Sequence, residues 1–168
     1  MEGIAMLVAV YVGTLLWGSF GEWGIHRFVM HQRRWLLPYP YELHAIGHHG
    51  MFRADETYHA LDDEMKKHVT FDPKDYFFIL LAHVPMLLGF EWISGVALAA
   101  PVGGLAVLSY GVAFDVLHWC YHVPANRWVE RRGWFRWLKE NHRLHHERQD
   151  RRFNVVFPLA DAVLGTLK

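Results

Sequence analysis

Two long stretches without charge dictate what this chain can fold into. From Gly3 to Phe20 no residue is charged, and at a rise of about 1.5 Å per residue a helix of that length covers roughly 27 Å, close to the hydrocarbon thickness of a bilayer. The run predicts a membrane span over about residues 4–25. It does not read as a secretory signal, because Met1-Glu2-Gly3 lacks a basic region and the apolar stretch is too long. The second stretch, Tyr76 to Phe114, is broken only by Glu91 and is about twice as long as one crossing needs. A helical hairpin is expected, with spans over about 75–92 and 97–120. Its outer turn falls between Glu91 and Pro101, where Ser94-Gly95 and Pro101 interrupt helix. The expected architecture is a single all-α domain of 168 residues, an integral membrane protein with about three transmembrane helices and a His-rich helical cap.

The averages, 52% hydrophobic and zero formal net charge, hide this organisation. All seventeen Lys and Arg lie between Arg27 and Lys74 or between Arg127 and Lys168, whereas the opposite side offers only Glu2 and Glu91. By the positive-inside rule the segments of about 26–74 and 121–168 are cytoplasmic and the amino terminus is outside. Basic and aromatic residues also mark nucleic-acid surfaces, but zero net charge and adjoining membrane spans argue against such a partner.

Ten of the thirteen histidines fall into four clusters, His26/His31, His44/His48/His49, His118/His122 and His142/His145/His146. Residues three or four apart share a face of an α-helix. His44 with His48, His118 with His122, and His142 with His145 and His146 are therefore each expected to aim at one point, and His26 and His31, five apart, to point less nearly the same way. Hydropathy and charge, read without reference to histidine, bring all four clusters to one membrane face. The single cysteine, Cys120, cannot form an intrachain disulfide and is too few for an iron–sulfur or Cys-based zinc site. The ligand chemistry is then imidazole, which suits iron, zinc, copper or nickel. A closed structural zinc takes four ligands, so ten clustered histidines suggest two ions with open positions.

These clusters have the forms HxxxxH (His26 to His31), HxxxHH (His44 to His49), HxxxH (His118 to His122) and HxxHH (His142 to His146). In that order they resemble the histidine boxes of the membrane fatty acid hydroxylase superfamily, which includes sterol desaturases, sphingolipid fatty acid hydroxylases and carotenoid hydroxylases. The stretch from Asn154 through Pro158-Leu159 and Asp161 to Gly165-Thr166 is similar to the segment that ends many members, with Ala160 in place of the usual aromatic residue. The resemblance runs from about His26 to Thr166. It implies an oxygen-dependent enzyme with two iron ions, replaceable by zinc on isolation, that uses dioxygen as co-substrate and acts on a membrane lipid. Unactivated C–H bonds carry no proton that a His or Glu usefully removes, so the oxidant has to be built on a redox metal.

The short third box and the Tyr110 to His122 context look nearer to the fatty acyl and sterol branches, although the first box, His26-Arg-Phe-Val-Met-His31, also resembles carotenoid hydroxylases. Hydroxylation leads and desaturation follows, since the two differ only in the fate of the substrate radical. No fused electron-transfer domain is seen in the sequence, so a separate electron-transfer protein is expected. Carboxylates one helical turn from a ligand, Glu22 before His26 and Asp115 before His118, are candidates to accept ring N–H groups, with Glu140, Glu147, Asn154 and Asp161 behind them. His59 and His68, outside the boxes, are possible additional ligands or water-facing. His83 lies mid-span, where a bond to a neighbouring helix is the plainer reading of an ionisable group. Trp119, Trp128, Trp134, Phe135 and Trp137, interleaved with Arg127, Arg131, Arg132, Arg136 and Lys139, suit the headgroup boundary, from which a long apolar substrate can be drawn. A His-rich membrane metal-binding or transport protein is the alternative of another class; transport sites lie near the midplane, where only His83 stands.

Overall fold

The computed structural model describes residues 2–168 and is helical, with no strand among those residues. In chain order it comprises α1 (Glu2–Ile25), which runs directly into a π-helical turn (His26–Met30); α2 (Pro38–Tyr41), leading into a π-helix (Glu42–His48) and α3 (His49–Met51); α4 (Asp63–Lys66); α5 (Pro73–Ser94); α6 (Ala99–His122); α7 (Gly133–Glu147); and α8 (Leu159–Val163). Among the described residues, three helices are long and apolar enough to cross a membrane: Glu2–Met30, Pro73–Ser94 and Ala99–His122. The chain is an integral membrane protein by that measure. Each span begins or ends within a few residues of the position expected from hydropathy.

The chain divides into two compact units. One comprises the stretch up to Gly18 together with Phe71–Ala113. Its helices meet through small residues, as expected where lipid tails give no hydrophobic drive between helices and close packing has to supply the attraction. A Cβ on Gly18 would lie 2.6 Å from Cδ2 of Tyr110, one on Gly103 2.5 Å from Cδ2 of Leu87, and one on Gly111 2.9 Å from Cε1 of Tyr76. Tyr76 also donates its hydroxyl to the Gly111 carbonyl at 3.3 Å.

The hairpin turn explains the one carboxylate in the apolar run. The α5 helix ends at Ser94, Gly95 takes the left-handed conformation (φ 66°) that a helix C-terminus favours, and α6 starts at Ala99. Glu91 accepts the Ala100 N–H at 2.6 Å, satisfying one of the unpaired donors at the start of α6. Pro101 falls inside α6 rather than breaking it, because a first-turn proline gives up no intrahelical bond.

The other unit comprises Ser19–Thr70 and Phe114–Lys168. Its core is aromatic and imidazole together: Phe52, Tyr58, Phe114, Tyr121, Phe135 and Phe153 are buried with the histidines. In α7 the buried face carries Phe135, Leu138, Asn141, His142, His145 and His146, an amphipathic stripe at helical spacing. Phe135, expected at the headgroup boundary, packs inward against Tyr121 with ring centroids 5.2 Å apart, whereas Trp128, Trp134 and Trp137 are exposed.

Candidate metal centre

The ten boxed histidines gather into two groups of five. His26, His31, His44, His49 and His145 form one; His48, His118, His122, His142 and His146 form the other; within each, the ligand-capable nitrogens lie within 4.8 Å of one another. His59, His68 and His83 belong to neither group.

Local helix geometry decides this partition. His26 and His31 are brought together by the π-turn, where the His31 N–H bonds the His26 carbonyl at 3.0 Å. The wider turn brings residues five apart into line, and the two rings stack at 5.0 Å. The second π-helix does the same for His44 and His49, whose N–H bonds the His44 carbonyl. In the other group, His118/His122 and His142/His146 are ordinary four-residue pairs on α6 and α7. Thus one group takes two π-turn pairs plus His145, and the other takes two α-turn pairs plus His48. The expectation that His44 shares a target with His48, and His145 with His142 and His146, is corrected here: the π-turn pairs His44 with His49, and adjacent helical positions point about 100° apart, which sends His145 and His146 to different groups.

Six rings are fixed by main-chain carbonyls. Nδ1 donates from His48 to His68 O at 3.1 Å, from His118 to Val69 O at 2.6 Å, from His122 to Tyr58 O at 2.7 Å, and from His146 to Phe52 O at 2.6 Å. His145 donates to Arg151 O at 2.7 Å, and His26 to Phe153 O. With the proton held on Nδ1, Nε2 of a neutral ring bears only a lone pair. His48 and His146 then face one another Nε2 to Nε2 at 3.3 Å with no hydrogen to share, and Nε2 of His118 is buried without a hydrogen-bond partner. Converging lone pairs in a buried place repel unless a cation reconciles them. The donor set, imidazole throughout, fits a divalent transition ion in each group.

Burial also keeps the rings in the ligating form. Loss of hydration holds His31 down to about 3 and His145 to about 4, and it lowers His44, His48, His49, His142 and His146 well below the ordinary imidazole range. All seven are neutral at physiological pH. Among the ten, His31 alone is only partly buried.

The carboxylates act differently from expectation. Glu22 accepts from Asn154 Nδ2 at 3.0 Å and from the Val155 N–H at 2.6 Å, and the ring N–H of His26 goes to Phe153 O instead. His118 likewise uses Val69 O, so its Nδ1–H is not given to Asp115. A carbonyl already fixed by the fold accepts without bringing a buried charge that must itself be paired. Glu140 and Glu147 pair with Arg143 at the surface.

Asn154 and Asp161 hold the backbone that holds the rings. Fully buried Asp161 accepts the N–H groups of Phe153 and Asn154 at 3.1 and 2.7 Å and the Thr166 hydroxyl at 2.6 Å. Asn154 Oδ1 accepts the Asp161 N–H at 3.1 Å, and its Nδ2 donates to Ser19 O at 2.7 Å. This clamp fixes Phe153, whose carbonyl orients His26.

The outlying histidines have other roles. His59 is exposed and accepts from Lys139 Nζ at 2.9 Å, whereas His68 contributes its main-chain carbonyl to His48. His83 donates Nδ1–H to Ile79 O, one turn earlier in α5, at 2.7 Å, so the mid-span ring is satisfied within its own helix and not by a neighbouring one. Sequence reasoning missed Phe52, Tyr58, Val69, Arg151 and Phe153 as ring-holding residues, since a carbonyl acceptor leaves no signature in residue type.

Comparison with known proteins gives one finding: residues 11–166 match the family model described as "Fatty acid hydroxylase". No match is found among curated proteins or among solved structures.

Proposed function

Because the chain belongs to the fatty acid hydroxylase family, we propose that it hydroxylates an apolar lipid of fatty acyl, sphingolipid or sterol type, with dioxygen as co-substrate and one iron held by each histidine group. The observation that carries this reading is the second group, where His48, His118, His122 and His146 all give Nδ1–H to carbonyls and turn their lone pairs toward one another. With one ferrous ion held by each group, the pair would supply the electrons with which dioxygen is activated against a C–H bond.

The remaining work falls to the chain. Carbonyls of Phe52, Tyr58, His68, Val69, Arg151 and Phe153 hold six rings in one tautomer, which limits reorganisation when the oxidation state changes. Phe52, Tyr58 and Phe153 pack on the rings, with Phe52 4.5 Å from His122, Tyr58 4.8 Å from His122 and Phe153 5.7 Å from His145 between centroids. They exclude water from a site in which a reactive oxidant would otherwise be quenched. Overall, one oxygen atom enters the lipid and the other leaves as water, which requires two protons and two electrons from a separate electron-transfer protein. In this reading the basic segments and the metal centre are cytoplasmic and the amino terminus is outside. The self-satisfied His83 gives no support to a midplane transport site.

The test is lipid mass spectrometry of cells expressing the wild type or His145→Ala, supplied with labelled dioxygen. A lipid heavier by one labelled oxygen, seen only with the wild type, is expected and names the substrate. A lipid lighter by two hydrogens replaces hydroxylation by desaturation. No difference, in cells with confirmed iron loading and reductant, overturns the oxygenase reading. Imidazole sites take zinc readily, so metal identity in a purified sample is no substitute for this experiment.

A further inference from the structure

Between His31 and His44 the chain exposes a run of large apolar side chains outside the spans. Trp35 is 88% exposed, Leu36 70% and Leu37 58%, three consecutive large side chains. Tyr39, Leu43 and Ile46 continue the patch. Leu43 and Ile46 interleave with His44 and His48, which are buried, so one turn of helix presents hydrocarbon outward and imidazole inward. Scattered exposed apolar residues need no explanation, but a contiguous patch of this kind marks a contact surface.

The placement says what the patch contacts. The first apolar span ends at Met30, with Phe28 of its last turn also exposed. The chain then doubles back: Arg34 Nε donates to Phe28 O at 2.8 Å, Leu37 N closes a turn onto Arg34 O at 3.2 Å, and Pro38–Tyr41 packs on His26–Met30. The patch therefore stays beside the last turn of the span, next to exposed Phe28, instead of projecting away from it. Exposed Arg33 and Arg34 flank it, Arg33 pairing with Glu42 at 3.3 Å, as long cationic side chains do at headgroup depth. Residues 31–37 have no regular helix, and unpaired backbone is excluded from the hydrocarbon centre, which limits insertion to the interfacial layer.

We propose that Trp35–Ile46 is a shallow lip embedded in the bilayer, and that lipid reaches the histidine centre across it. The occupant of the patch is the acyl region of the surrounding membrane. The second half of the statement rests on the oxygenase reading above: His31, the one ring of the ten that is only partly buried, immediately precedes the lip, on the side from which a bilayer lipid would approach. The first half stands on the surface alone.

Depth measurement tests it without reference to oxidation. In a Cys120→Ala background, nitroxide labels are placed at position 36 or 46 of the full chain in phosphatidylcholine/phosphatidylglycerol vesicles, with Phe77 in α5 as a lipid-facing reference and Glu64 as an aqueous one. Labels at 36 and 46 should collide readily with oxygen and poorly with a water-soluble nickel chelate, as at 77. Nickel accessibility equal to that at 64 would overturn the proposal, and shielding from both reagents would assign the patch to a second copy or another protein instead. Trp35→Phe gives a check that needs no label: it should remove part of the tryptophan quenching caused by lipids brominated on the acyl chain, and unchanged quenching counts against the lip. Metal content and oxidation assayed on the same samples separate failure of the lip from failure of the oxygenase reading.

Discussion

His48 and His49 are neighbours in sequence and members of different groups, and so are His145 and His146. Each dipeptide thus serves both proposed ions. Replacing one member should empty one site while largely sparing the other: His48→Ala and His49→Ala are each expected to retain roughly half the wild-type metal, and either loss should abolish oxidation because both ions are needed. Metal-to-protein ratios measured on membrane-extracted protein decide this, and retention of all metal in both variants would break the assignment. His122→Ala and His145→Ala should behave alike, remaining in the membrane without activity. Asp161 makes a separate case, since it touches no ring. Asp161→Ala removes the acceptor for Phe153 and Asn154 N–H and so loosens the carbonyl that orients His26. A metal affinity weakened about 10–100-fold, read by chelator competition, is expected, with Asp161→Asn closer to wild type and surface Glu147→Gln unchanged.

At the scale of elements, the sequence shows the spans and the convergence of the boxes better than it shows the division of the ten histidines. Long apolar runs locate α1, α5 and α6 to within a few residues, because the bilayer constrains length and polarity together. Four-residue pairs such as His118/His122 are read directly from α-helical period. The five-residue pairs are not. A π-turn differs from α by one inserted residue and carries no composition of its own, so His26/His31 look misaligned until the backbone is seen. The glycine contacts were equally hidden, since which residue fills the space over a glycine depends on tertiary packing. They carry a prediction: Gly18→Val forces a side chain against the ring of Tyr110 and should cost about 1–3 kcal/mol by overpacking, whereas Gly89→Ala, with open space above it, should be neutral apart from its gain in helix propensity. Thermal unfolding in one detergent compares the two, and equal stability would mean that the helices reseat without strain.

At the scale of the whole molecule, the three candidate spans among the described residues form an odd number, so in the proposed topology the segments before the first and after the last would lie on opposite sides of the membrane. In the proposed orientation, charge decides which side is which. The loop between the first and second spans, with Arg27 and Lys74 at the span ends that adjoin it, and the segment after the third contain every Lys and Arg in the sequence, and a bias that complete is strong by the positive-inside rule. The proposed chemistry asks for the same result, because the proposed electron-transfer protein, if cytoplasmic, would have to dock where the histidine groups are. A fluorescent protein fused after Lys168 should therefore fold and emit, and a phosphatase active only after export should be silent there; at the amino-terminal end the two reporters should exchange behaviour. Cutting the charge bias is the sharper version. Neutralising Arg27, Arg33 and Arg34 together leaves ten basic residues after the third span, so the orientation should persist, whereas neutralising Arg127, Arg131, Arg132 and Arg136 as well should yield a mixed population. An emitting amino-terminal fusion in the unmodified chain would place the metal centre outside and require a different source of electrons.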